Sequence, residues 1–88
     1  MNIFVAKLNF DTNESKLRTA FEEYGTVESV KIIMDKFTGR SKGYGFIEMP
    51  DKSDANEAIN SLNNQYFDGS TIVAKEAQPR SNSYNNRY

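Results

Sequence analysis

The sequence predicts an α+β fold: a four-stranded antiparallel sheet with two helices packed on one face. Three observations predict it. Leu17, Ala20, Phe21 and Tyr24, and again Ala55, Ala58, Ile59 and Leu62, fall at i, i+3, i+4 and i+7, the spacing of one helical face. Four short runs rich in β-branched and aromatic residues lie around them. The runs and stripes come in the order β-α-β-β-α-β, a split βαβ pattern whose helices share one side of the sheet.

Each element has a local cause. Residues 2–8, Asn-Ile-Phe-Val-Ala-Lys-Leu, read as the first strand, and 9–13 as a turn. Asn13 is a good N-cap, and Glu14 lies near the positive end of the first helix dipole. Gly25 stops that helix. Val27 to Met34 reads as the second strand, 35–41 as a polar loop around Gly39, and 42–49 as the third strand, ended by Pro50. Asp51 or Ser53 can cap the second helix, Asn63 and Asn64 suit its exit, and Asp68-Gly69 makes a turn. Residues 70–76 read as the fourth strand. Residues 78–88 are Gln, Pro, Ser, Asn, Arg and Tyr without periodicity, a flexible polar tail after a domain spanning 1–77.

Composition narrows the chemistry. Of 88 residues, 38% are hydrophobic and 26% charged, a globular balance large enough for one modest core. Cysteine and histidine are absent. That removes a disulfide framework, a thiol nucleophile, the commonest metal ligand and the commonest general base near neutral pH. No enzyme activity, metal or cofactor is expected. No apolar run approaches membrane-spanning length and no leader-like segment opens the chain, so a soluble cytoplasmic protein without a membrane partner is expected. The net charge of −1 does not announce a polyanionic partner. Positive charge nevertheless gathers in one middle segment (Lys31, Lys36, Arg40 and Lys42 against Asp35 and Glu48) and in the tail (Arg80 and Arg87). Ordinary solvated surface explains that pattern as well as a binding face does.

Two helices cover one face of a sheet, so the other meets water or a partner. Alternation sorts the strand residues. Ile3 and Val5, Val30, Ile32 and Met34, Gly45, Ile47 and Met49, and Ile72 and Ala74 form an almost wholly apolar set. The opposite set contains Asn2, Lys31, Glu48 and Lys75, and unpaired charge is rarely buried, so it is assigned to the open face. Phe4, Tyr44 and Phe46 belong to it. The competing reading is that these rings are core and the parity is inverted. Taken singly, large aromatics on strands favour that reading; four polar neighbours of the same parity favour exposure. Three uncovered rings are costly unless they are used.

At these residues the chain resembles the RNA recognition motif family. Lys42-Gly43-Tyr44-Gly45-Phe46-Ile47-Glu48-Met49 matches its octamer signature, with Met49 replacing an aromatic. Ile3-Phe4-Val5-Ala6-Lys7-Leu8 resembles the companion hexamer, with Lys7 where asparagine is common. Residues 35–41 resemble the loop leading into the octamer, and Asp68-Gly69-Ser70-Thr71-Ile72 the entry to the last strand. The likeness covers 2–77. It is greatest to small stand-alone single-domain proteins found in bacteria, similar to the RNA domain of plant and animal glycine-rich proteins, with a short polar tail here in place of the glycine-rich one.

The resemblance implies a ferredoxin-like fold and binding of single-stranded RNA, with single-stranded DNA as a weaker ligand, by a monomeric post-transcriptional regulator or RNA chaperone that takes no small-molecule substrate. It assigns Phe4 and Tyr44 as rings on which successive bases stack, and Phe46 as packing against sugar between them. Lys42 is placed for phosphate, Lys31 and Lys75 border the rings, and Arg40 and Lys36 are helpers or merely solvated. Backbone at Ala77 and Gln78, and the Arg80 side chain, are further candidates. Phe37 stacks on RNA or packs locally; Tyr84 and Tyr88 stack or belong to an unordered tail. Two other functions compete. A protein-interaction module would use a helical face, as the acidic second helix permits, but such versions tend to lack the aromatic triad. An acyl phosphatase on this topology needs a basic anion-binding loop after the first strand, and residues 9–13 hold no arginine.

Overall fold

The computed structural model describes residues 1–77. The chain forms β1 (Asn2–Ala6), α1 (Glu14–Glu22), β2 (Ser29–Met34), β3 (Ser41–Glu48), α2 (Lys52–Leu62), β4 (Tyr66–Phe67), β5 (Ser70–Thr71) and β6 (Val73–Ala77). The main sheet runs β2-β3-β1-β6, every neighbouring pair antiparallel, and β4-β5 form a separate hairpin. This is the ferredoxin-like α+β architecture that the sequence predicts.

The helices start where side chains satisfy free backbone donors. Asn13 Oδ1 accepts from the Lys16 N–H at 2.8 Å, and Asp51 Oδ1 from the Asp54 N–H at 2.9 Å. Leu17 and Phe21 of α1 and Ala55 and Ala58 of α2 turn inward, with Ala20, Tyr24, Ile59 and Leu62 half-buried at the margin of the core. They pack on Ile3, Val5, Ile47 and Ala74 of the strands and on Met49 and Ile72 beside them. Helix α1 lies against β2 and α2 against β6, so both helices occupy one side. Gly45 allows the tight approach of β3 to β2, since a Cβ there would run into the Lys31 carbonyl oxygen.

Three expectations need correction. Met34 is not core but 52% exposed. The β2–β3 register shifts between Ile32 and Met34, so strict alternation ends before Met34. The first strand stops at Ala6 because Lys7 takes a left-handed φ of 61°, although Leu8 beyond it is still buried. The last strand is divided: Ser70–Thr71 returns against Tyr66–Phe67, and only Val73–Ala77 joins the main sheet. That hairpin is anchored from a distance. Buried Thr12 donates its hydroxyl to Asp68 Oδ2 at 2.6 Å, and Lys16 Nζ lies 3.4 Å from Asp68 Oδ1.

Candidate nucleic-acid interface

The alternation of β1 and β3 decides where the rings stand. Ile3 and Val5 are buried while Phe4 between them is half-buried; Gly45 and Ile47 are buried while Tyr44 and Phe46 are half-buried. None of the three rings belongs to the buried core. The inverted parity is excluded. Because β1 and β3 are the two central strands, the rings occupy the middle of the helix-free face.

The rings touch one another. Phe4 lies 5.8 Å from Tyr44 and 5.6 Å from Phe46 between centroids, tilted by 44° and 53°. Tyr44 and Phe46 meet edge to face at 6.5 Å and 88°. Mutual packing covers part of each ring and leaves all three partly exposed on the helix-free face.

Register places cations at both sides of it. Lys31, Phe46, Phe4 and Lys75 are successive cross-strand partners on β2, β3, β1 and β6, a transverse row with apolar centre and basic ends. Lys75 Nζ stands 5.6 Å from the Phe4 centroid, within cation–π range. Lys31 is exposed and lines a shallow depression with Phe46, Asn2 and Glu48. Lys42 and Arg40 are exposed beyond Tyr44 and share a second groove with it. Among the described residues no carboxylate lies within ion-pair distance of Lys31, Lys42, Lys75 or Arg40. These cations are therefore available to phosphate.

The loop between β2 and β3 is organised by Asp35. Its Oδ1 accepts from the backbone N–H groups of Phe37 at 2.7 Å and Thr38 at 3.1 Å. Those hydrogen bonds, Phe37's first, hold its carboxyl below the ordinary aspartate value, with Lys42 adding attraction and desolvation opposing. Lys36 is exposed in this loop, and Phe37 is 96% exposed, so the local packing considered for it does not occur. Phe10, 68% exposed in the turn after β1, is a feature that the residue pattern did not single out. The signal was there: a large aromatic in an otherwise polar turn. Gln78, Arg80, Tyr84 and Tyr88 lie outside the described residues. Ala77 ends β6 as the cross-strand partner of Asn2.

The RNA recognition motif family model matches residues 3–73. The chain belongs to the RNA recognition motif family. As one such protein it is 44% identical over 77 residues to the glycine-rich RNA-binding protein GRP1A of Sinapis alba, an alignment covering 88% of this chain and 46% of that protein. It superposes on the crystal structure of RNA-binding protein PG1 with a TM-score of 0.87 at 45% identity, covering 91% of this chain and 96% of that one. It matches the Sxl-lethal protein/RNA complex with a TM-score of 0.82 at 32% identity, covering 86% and 47% respectively. The chain spans less than half the length of the plant glycine-rich relatives GRP1A and GRP2A of Sinapis alba. These relatives come from plants, so they do not single out the bacterial type of motif.

Proposed function

We propose that this RNA recognition motif binds single-stranded RNA on the open face of its sheet. The observation that carries the reading is the basic-edged aromatic row at the centre of that face: two phenylalanines between two lysines, with Tyr44 in contact. Successive bases stack on Phe4 and Tyr44, Phe46 packs against the sugar between them, and Lys31, Lys75 and Lys42 take phosphates, with Arg40 beyond them. A base entering over Phe4 shifts the Lys75 ammonium from the ring toward phosphate, a move its flexible stem permits. Duplexes hide their base faces and are weak ligands on this mechanism. Family membership and the RNA-bound solved relative support the choice of RNA.

The finer assignments belong to the same proposal. The protein acts as a cytoplasmic monomer in post-transcriptional regulation or as an RNA chaperone, binds single-stranded DNA more weakly, and resembles the stand-alone bacterial type. Its domain spans 1–77, backbone groups at Ala77 and Gln78 contact the strand, and the Arg80 side chain clamps it. The intact aromatic trio favours RNA over a purely protein-binding role.

Titration with a pool of short single-stranded RNAs, followed by tyrosine fluorescence, tests the reading. Tyrosine emission should change saturably, a matched duplex should compete poorly, and the DNA version of the pool should bind more weakly. No response to any single strand would end it.

A further inference from the structure

We infer that the end of the open sheet face where β1 begins carries a base-reading site, in which Glu48 and Asn2 select guanine from the bound strand; the inference rests on the platform reading above. It starts from a misfit. Of the two carboxylates on the main-sheet strands, Glu48 alone shares the parity of the rings, because Glu76 alternates with Lys75. A carboxylate repels phosphate, so beside a platform for RNA it weakens binding unless it meets another part of the strand. Register places it. Ser29, Glu48, Asn2 and Ala77 are successive cross-strand partners on β2, β3, β1 and β6. They form a second transverse row, two residues along each strand from Lys31, Phe46, Phe4 and Lys75. The first row offers rings and cations; the second offers hydrogen-bonding side chains.

The two rows meet in a depression of about 190 Å³ lined by Asn2, Ser29, Lys31, Phe46 and Glu48. Its polar groups are uncommitted. Among the described residues no cation lies within ion-pair distance of Glu48, not even Lys31 in the same depression. Among them, too, the Glu48 carboxylate is met by the Ser29 hydroxyl alone, at 3.5 Å the long limit of a hydrogen bond. Directly paired strand residues hold their Cβ atoms about 5 Å apart, close to the width of a Watson–Crick edge. A carboxylate is best satisfied by two parallel N–H donors. Guanine alone among the four bases presents two adjacent donors, N1–H and the N2 amino group, with the acceptor O6 beside them. Glu48 accepts from both donors and the Asn2 amide donates to O6, with the Phe46 ring alongside. Adenine and cytosine bring one amino group to the carboxylate. Uracil sets a carbonyl oxygen on each side of its N3–H, and the carboxylate repels both. Lys31 stays free for the phosphate of this nucleotide.

Base preference separates this inference from the platform itself. Single-stranded hexauridine RNAs carrying one guanine, inosine or adenine, walked along the strand, are titrated against the wild-type chain and Glu48→Gln. Adenine stacks as a purine too, so the guanine-to-adenine affinity ratio cancels stacking. In the wild type one position should favour guanine over adenine roughly tenfold, with inosine, which lacks the N2 amino group, between them. The Asn2 side-chain amide resonances should shift with the guanine oligomer and not with the adenine one. Glu48→Gln keeps the length of the side chain but turns one acceptor into a donor, and should bring the ratio close to one while circular dichroism reports the native fold. A wild-type ratio near one at every position, a ratio that Glu48→Gln leaves unchanged, or Asn2 resonances indifferent to guanine would overturn the inference and leave the platform standing. A wild type that binds none of the oligomers overturns both.

Discussion

At the scale of single residues, the platform makes a sharp separation between binding and folding. Phe4 and Tyr44 stand outside the buried cluster, so Phe4→Ala and Tyr44→Ala should each weaken RNA binding by about 1–3 kcal/mol while far-ultraviolet circular dichroism still reports the native fold. Unfolding of both variants would mean the rings hold the sheet together. Gly45, one position away, behaves oppositely. A methyl group there meets β2 backbone, the Lys31 carbonyl oxygen and, at 3.0 Å, Ile32 Cα, so Gly45→Ala should lower the urea midpoint by an amount equivalent to about 1–3 kcal/mol. Asp35 supplies a pH test. Its carboxyl titrates low because folded-loop N–H groups hydrogen-bond the charged form, so its contribution is present above the ordinary aspartate range and is lost as pH falls through the lowered value. The Phe37 amide resonance should follow that acidic titration, and Asp35→Asn should abolish the step. The residue types and the parity of Phe4, Tyr44 and Phe46 were legible in the sequence because strand alternation is local. Met34 was misplaced because a register shift depends on the partner strand.

Among the elements, the helices were the most readable, since a cap and an apolar stripe lie within one stretch of chain. Asn13→Ala and Asp51→Ala each remove an acceptor for a helix N–H and should cost about 1 kcal/mol by urea denaturation. A less visible duty falls on Glu14. Strand β2 is an edge of the sheet, and the Ile32 N–H donates to Glu14 Oε2 at 3.0 Å across eighteen residues. Glu14 thus occupies an edge donor that would otherwise seek another strand. Glu14→Ala should cost about 1 kcal/mol and speed Ile32 amide exchange. The β4–β5 hairpin escaped sequence reasoning for a related reason. Its strands are two residues each, too short for a periodic signal, and Thr12 and Lys16 tether its Asp68 turn from the other end of the chain.

At the scale of the whole molecule, a net charge of −1 gives no strong field to draw in a polyanion. Helix α1 carries Lys16 and Arg18 with Glu14 and Glu22, α2 carries Lys52 with Asp54 and Glu57, and Glu48 stands beside Lys31 on the helix-free face. Electrostatics therefore supplies few contacts. With about three phosphates neutralised, log K should fall against log salt with a slope near −2, and a slope steeper than about −5 would show that charge rather than stacking dominates. The sequence by itself determined the order of the helices and main-sheet strands, the inward set of each strand except Met34, the caps and the motif, because these depend on period and on neighbours a few residues away. Tertiary structure alone decided that Lys31, Phe46, Phe4 and Lys75 form a single row, that Phe10 shares a groove with Tyr44, and that Asp68 anchors a hairpin. Those facts arise from pairing between strands and loops far apart along the chain, and no local pattern encodes a register that only the folded partners can set.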